Sequence, residues 1–135
     1  MGKLKVALLL LAALSLGAEQ LFYERPLRLP FNEAYLKLKR SLENEGFLVV
    51  KELKRRPYRA VLFVKGKPLE ELVKLCPRFG AYYPYRVYLK EKDGTAVAGF
   101  ARPSVFAALA GKSLSPSVKE KLTELEERLK EALSF

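Results

Sequence analysis

The stretch Tyr82-Tyr83-Pro84-Tyr85-Arg86-Val87-Tyr88-Leu89-Lys90-Glu91-Lys92-Asp93-Gly94-Thr95-Ala96-Val97-Ala98-Gly99-Phe100 decides the fold. Asp93-Gly94 separates two runs of strand-forming residues, and Gly accepts the positive φ that a two-residue hairpin turn demands. With these two as the turn, Val87 lies opposite Phe100 and Leu89 opposite Ala98, so one face is apolar and Arg86, Tyr88 and Lys90 occupy the other. A looser turn that takes in Lys92 slips the pairing by one residue and carries Phe100 to the opposite face.

Working outward, the N-terminus has a different character. Met1 to Lys5 carries two lysines, Val6 to Leu16 is apolar, and Ser15, Gly17 and Ala18 are small. This is the pattern of an export signal over residues 1–18, with cleavage after Gly17 or Ala18. The apolar run is shorter than the roughly twenty residues that cross a bilayer. No membrane span is therefore expected once it is cleaved, and the expected location is periplasmic or secreted. Residues 19–135 are expected to form one domain, long enough to bury a core.

Composition narrows the chemistry. The 135 residues carry a net charge of +10, with no His, no Trp and a single cysteine, Cys76. The usual ligand sets for zinc, copper or haem cannot be assembled, nor can a nucleophile activated by His. Composition leaves a carboxylate site for calcium or magnesium open, but no cofactor is expected. One cysteine excludes an internal disulfide, so packing alone must hold the fold. Amide residues are sparse while Lys, Arg, Glu and Leu abound, a thermophile-like composition.

In chain order, Gln20 to Arg25 reads as a strand ended by Pro26 and Pro30. Asn32 is placed to cap a helix whose buried face is Tyr35, Leu38 and Leu42, with Phe31 stapling onto Leu36. Gly46 closes that helix and Phe47 to Lys54 follows as a strand. Ala60 to Lys65 is an uninterrupted apolar run, suited to a central strand buried on both faces. Pro68 opens a helix with Leu69, Leu72, Val73 and Cys76 on one side, which makes Cys76 a small buried residue rather than a reactive thiol. After the hairpin comes a short helix, Ser104 to Ala110, closed by Gly111. Ser115 and Pro116 open the last helix, with Val118, Leu122, Leu125, Leu129 and Ala132 as its apolar stripe and Glu124–Arg128 and Glu126–Lys130 as outward pairs. The order β-α-β-β-α-β-β-α-α describes a single compact α+β domain, with a mainly antiparallel sheet and the helices packed on one face.

Several of these segments, taken together, resemble a known family. They are Leu42-Glu43-Asn44-Glu45-Gly46-Phe47, the Lys67-Pro68 break before a Leu-rich helix, Pro84-Tyr85-Arg86-Val87-Tyr88-Leu89 with its Lys-Asp-Gly turn, and Arg102-Pro103-Ser104-Val105. In that order they are similar to the bacterial and archaeal domain of unknown function 302 (DUF302) family, over about Leu21 to Leu133. The resemblance implies a compact α+β domain, a possible homodimer, and no agreed activity. Members commonly carry a cysteine just after the hairpin proline and a Cys-Asn-Pro-like triplet before the second helix. Here Tyr85 and Gly66-Lys67-Pro68 stand in those places, so any chemistry of those cysteines is not expected of this chain.

Three readings of function follow. The first is a non-catalytic exported domain that binds a small ligand or an envelope protein through Tyr82, Tyr83, Tyr85 and Tyr88 beside Arg78 and Arg86, residue types that dominate binding hot spots. The second is electrostatic attachment to an anionic surface through Lys54, Arg55, Arg56 and Arg59. Nucleic acid is an unlikely partner here, since export and the lack of a groove-reading motif argue against it. The third is an enzyme using carboxylates or tyrosine, for which Glu24, Glu52 and Glu91 are the strand-borne acids to inspect.

Overall fold

In the computed structural model, which describes residues 21–54, 58–110 and 113–135, the Asp93-Gly94 turn is the tight form, with φ +53° and +81° at its two residues. It joins β4 (Tyr85–Lys92) to β5 (Thr95–Ala101), and Val87 pairs with Phe100 and Leu89 with Ala98. Before this hairpin come β1 (Phe22–Pro26), α1 (Phe31–Asn44), β2 (Phe47–Leu53), β3 (Ala60–Gly66) and α2 (Lys67–Leu75). A 3-10 turn, Pro77–Tyr82, leads into β4, and α3 (Pro103–Ala110) and α4 (Pro116–Ala132) close the chain. The five strands lie in the order β1-β5-β4-β3-β2, every neighbouring pair antiparallel. The α+β architecture and element order read from the sequence are those observed, apart from the added 3-10 turn.

The core lies between one face of the sheet and the helices. Leu62, Val64, Val87, Leu89, Ala98 and Phe100 meet Leu38, Leu42, Leu69, Leu72, Leu122 and Leu129, all essentially inaccessible. The α4 stripe, Val118 to Ala132, is buried in this chain's own core. Ser115 caps α4 as expected, its hydroxyl accepting from the Val118 N–H at 3.3 Å. Gly46 has φ +88° at the end of α1, and Gly66 lets β3 close on it, since a Cβ there would stand 2.2 Å from the Gly46 carbonyl oxygen.

Five local expectations need correction. Helix α1 starts at Phe31 with Pro30 in the capping position, so Asn32 sits inside the first turn and caps nothing. Phe31 stacks on Tyr35, one turn along, and leaves Leu36 exposed. Strand β3 is central but not buried on both faces, because Val61 and Phe63 are half-buried on the side that no helix covers. Glu126 is not outward: it is 3% exposed, although its pair with Lys130 forms, at 3.5 Å. Glu124 pairs with Lys121 instead of Arg128, which donates to the Glu45 carbonyl. The readings that concern residues 1–18, Arg55, Arg56 and Gly111 lie outside the described residues.

Candidate functional site

Strand alternation sends Arg86, Tyr88 and Lys90 to the face away from the helices. In the register, Phe63 sits opposite Arg86 and Lys51 opposite Phe63, so three strands place a ring between two cations. The Arg86 guanidinium stands 5.2 Å from the Phe63 ring centre and the Lys51 ammonium 5.9 Å. Lys65, two residues along β3, lies 5.6 Å from the Tyr83 ring. Such contacts are worth roughly 0.5–1 kcal/mol at exposed sites, enough to bias where a flexible cation rests. Among the described residues no carboxylate pairs with Arg86, Lys51 or Lys65.

Beside this row is a depression of about 370 Å³, lined by Phe63, Tyr83, Pro84, Tyr85, Arg86 and Ala101 among others. Tyr85 is buried and gives its floor: its ring stacks on Phe79 and its hydroxyl donates to the Ala101 carbonyl. Burial, and then the charge of Glu126, hold its phenol well above the usual pKa, so it stays a neutral donor. The Tyr83 phenol is raised by burial and by Glu70, to which it donates at 3.4 Å.

A larger hollow, about 620 Å³, lies toward β1. Its wall is Tyr88, which folds across its neighbour Gly99, packs at a tilt against Tyr58 with ring centres 4.7 Å apart, and donates to Glu24 at 2.6 Å. Lys90 donates to the same carboxylate at 2.9 Å. Burial would raise the pKa of Glu24, but the bonds from Tyr88 and Lys90 outweigh it and hold the group ionised. Burial and the hydrogen bond to Glu24 push the Tyr88 phenol up, the wrong direction for a base.

Arg102 and Lys130 also line this hollow, and both are held by Glu126. The Arg102 fork meets the two carboxylate oxygens at 3.3 and 3.2 Å, and the Ser104 N–H and hydroxyl reach one of them at 3.2 and 2.7 Å. The carboxylate therefore sits at the start of α3, where exposed N–H groups favour an anion. Its burial would raise its pKa, but Ser104 and Arg102 more than offset that and lower it. The Arg102-Pro103-Ser104 segment thus ties α3 to α4.

Of the residues singled out from sequence, Tyr83, Tyr85 and Arg86 come together at one depression and Tyr88 belongs to the other. Arg78 is exposed on the 3-10 turn and lines neither, and the side chain of Tyr82 lies outside the described residues. Lys54 is exposed; Arg59 pairs with Glu91 at 2.5 Å and lies over Phe31, 4.3 Å from its ring centre. The three acids do not converge. Glu24 faces the open side and Glu91 the helix side, while Glu52, on the far edge strand, is held by Lys39 at 2.8 Å and by Tyr35. Phe63, Lys51 and Lys65 were missed because β3 read as buried on both faces; alternation against Arg86 was the signal. Glu126 was missed although it falls four residues after Leu122 and three before Leu129, on the stripe itself.

The chain matches the family described as "Domain of unknown function DUF302" over residues 23–135. An uncharacterized protein of Aquifex aeolicus (strain VF5) is 28% identical over 130 residues, covering 93% of this chain and 90% of that one. The crystal structure of an uncharacterized conserved DUF302 protein from Bacillus stearothermophilus shares the fold at a TM-score of 0.72 and 21% identity. It covers 84% of this chain and 95% of that one.

Proposed function

The chain belongs to the DUF302 family, and we propose that it is a non-catalytic binding module that holds an anionic ligand on the open face of its sheet, at the depression between Phe63, Tyr83 and Arg86. The observation that carries this reading is that Arg86, Lys51 and Lys65 rest on aromatic rings with no carboxylate among the described residues to neutralise them. An arriving anion would displace water rather than a protein group. The cations are already positioned, which lowers the ordering cost of binding. A volume of about 370 Å³ suits a small molecule or the anionic end of a larger one. The engagement of Glu24, Glu52 and Glu91 by separate cations supports binding over acid and base chemistry. The leader pattern in residues 1–18 places this activity, in our reading, after export to the periplasm or beyond the cell.

Titration with phenyl phosphate, with benzyl alcohol as the neutral counterpart, tests the proposal by NMR. The expected result is that phenyl phosphate alone shifts the amides of Phe63, Tyr83 and Arg86, and more weakly as salt rises. Arg86→Ala and Lys51→Ala should each weaken binding by about tenfold, the loss of one charge-assisted contact, with Tm nearly unchanged. Equal binding of the alcohol, or affinity indifferent to salt, would overturn the reading.

A further inference from the structure

We infer that the anion site and the hollow toward β1 form one continuous surface whose ligand is amphiphilic: a free alkyl or aryl monoanion with its charge at Arg86 and its apolar body laid across Ala101 to reach Phe22. The assignment rests on the anion site proposed above, whose ligand class it specifies. Cross-strand register brings the two ends together. One step beyond the Val87–Phe100 pair Arg86 stands beside Ala101, and Ala101 is paired in turn with Phe22. On the open face a single row therefore runs Lys51, Phe63, Arg86, Ala101, Phe22. Ala101 lines the depression at Arg86 and Phe22 lines the larger hollow, so in this row only the Ala101 methyl stands between them.

The two ends of this trough differ in chemistry. At one, the exposed Arg86 guanidinium is held over Phe63. At the other, Phe22 is 43% exposed and meets the Tyr88 ring edge-on, with ring centres 6.3 Å apart. Tyr88 lies in the next row, over Gly99, and walls the trough on that side. Glu24, two residues along β1 from Phe22, is engaged by Tyr88 at 2.6 Å and Lys90 at 2.9 Å, so its charge is already met when an anion arrives. Two strand spacings, roughly 10 Å, separate the backbone under Arg86 from that under Phe22, about the length of a hexyl phosphate. An apolar body of that length would release the water held over Ala101 and Phe22, the source of its added affinity. Charge and apolar wall stand side by side in the plane of the sheet, so the ligand lies flat along it. A lipid held in a bilayer would instead send its chains away from the surface that binds its headgroup.

Titration of the protein with hexyl phosphate, ethyl phosphate and hexanol, followed by NMR, tests this. Both phosphates should shift the Arg86 and Phe63 amides. Hexyl phosphate should also shift Ala101 and Phe22 and bind about tenfold more tightly, the gain from burying roughly half of its added methylenes. Phe22→Ser should reduce that preference to about twofold or less, while Phe22→Leu, which keeps an apolar wall, should retain it. Tm confirms that both variants fold, and the probe series on the unaltered chain decides the matter if either does not. Equal affinity for the two phosphates, with Arg86 shifted by both, would overturn the inference and leave the anion site standing. An Arg86 amide that neither phosphate shifts would remove the anion site, and the inference with it. Hexanol shifting Phe22 as strongly as hexyl phosphate would show an apolar patch independent of the charge and would also overturn it. So would cosedimentation with phosphatidylglycerol vesicles that hexyl phosphate competes away, which would assign the surface to a membrane lipid.

Discussion

Glu126 is the residue whose chemistry most exceeds its appearance in the sequence. Breaking one side of a buried, hydrogen-bonded ion pair leaves charges with no match, a loss of roughly 3–5 kcal/mol. Glu126→Ala should approach that loss, and Glu126→Gln, which keeps an acceptor for Ser104, should cost about 2 kcal/mol in urea unfolding. The pH dependence follows from the sign of the shift. Its folded pKa lies below the ordinary 4.5, so its contribution is complete above that value and is lost as pH falls through the lowered one. Wild type should therefore lose stability more steeply than Glu126→Gln below about pH 5; parallel profiles would mean the carboxylate is not what acid attacks. Gly99 makes a second residue-level case. A Cβ there would stand 2.5 Å from the Tyr88 Cζ and hydroxyl oxygen, and that ring is pinned by Glu24 and Tyr58. Gly99→Ala should cost about 1–3 kcal/mol. The cost should largely vanish in a Tyr88→Ala background, and additive losses would show that the ring is not the obstacle.

At the scale of elements, legibility tracked how local the determining chemistry is. The hairpin was readable because its turn is set by two residues and its faces by a period of two; Gly94→Ala should cost about 1–2 kcal/mol through its φ of +81° alone, there being no neighbour within 4 Å to clash. A loss much larger than that, measured by thermal unfolding, would mean the turn does more than reverse the chain. Helix α4 was readable from its stripe for a similar reason. Strand β3 misled because Ala60 to Val64 is apolar on both sides, and such a run cannot report which side a helix covers. The start of α1 misled because proline and asparagine both announce a helix N-terminus, and Pro30 took the role through its own φ and ψ of −59° and 153°. The 3-10 turn Pro77–Tyr82 is too short to carry a period. The candidate anion site was half legible: Arg86 and Tyr83 stood out by type, whereas Lys51, Phe63 and Lys65 join them only through cross-strand register, which no stretch of sequence contains.

For the whole molecule, the net charge of +10, which falls to +8 without Lys3 and Lys5 of the proposed leader, bears on the anion-site proposal. A basic domain draws anions toward it over about one Debye length, near 10 Å at 0.1 M salt, and Arg86, Lys51 and Lys65, which no described carboxylate pairs, decide where they come to rest. No helix among the described residues is long and apolar enough to cross a membrane, and the first strand begins at Phe22. Cleavage of the proposed leader after Gly17 or Ala18 would thus spare every described element. If the domain works after export, the intact mass of the chain recovered from periplasm or medium should correspond to a start at Ala18 or Glu19. The recovered chain should bind phenyl phosphate as tightly as a chain made without residues 1–18. Recovery from the cytoplasm with Met1 retained would remove the export proposal. It would leave the anion site standing, because Arg86, Lys51 and Lys65 owe their positions to Phe63 and Tyr83 and not to the compartment in which the domain is found.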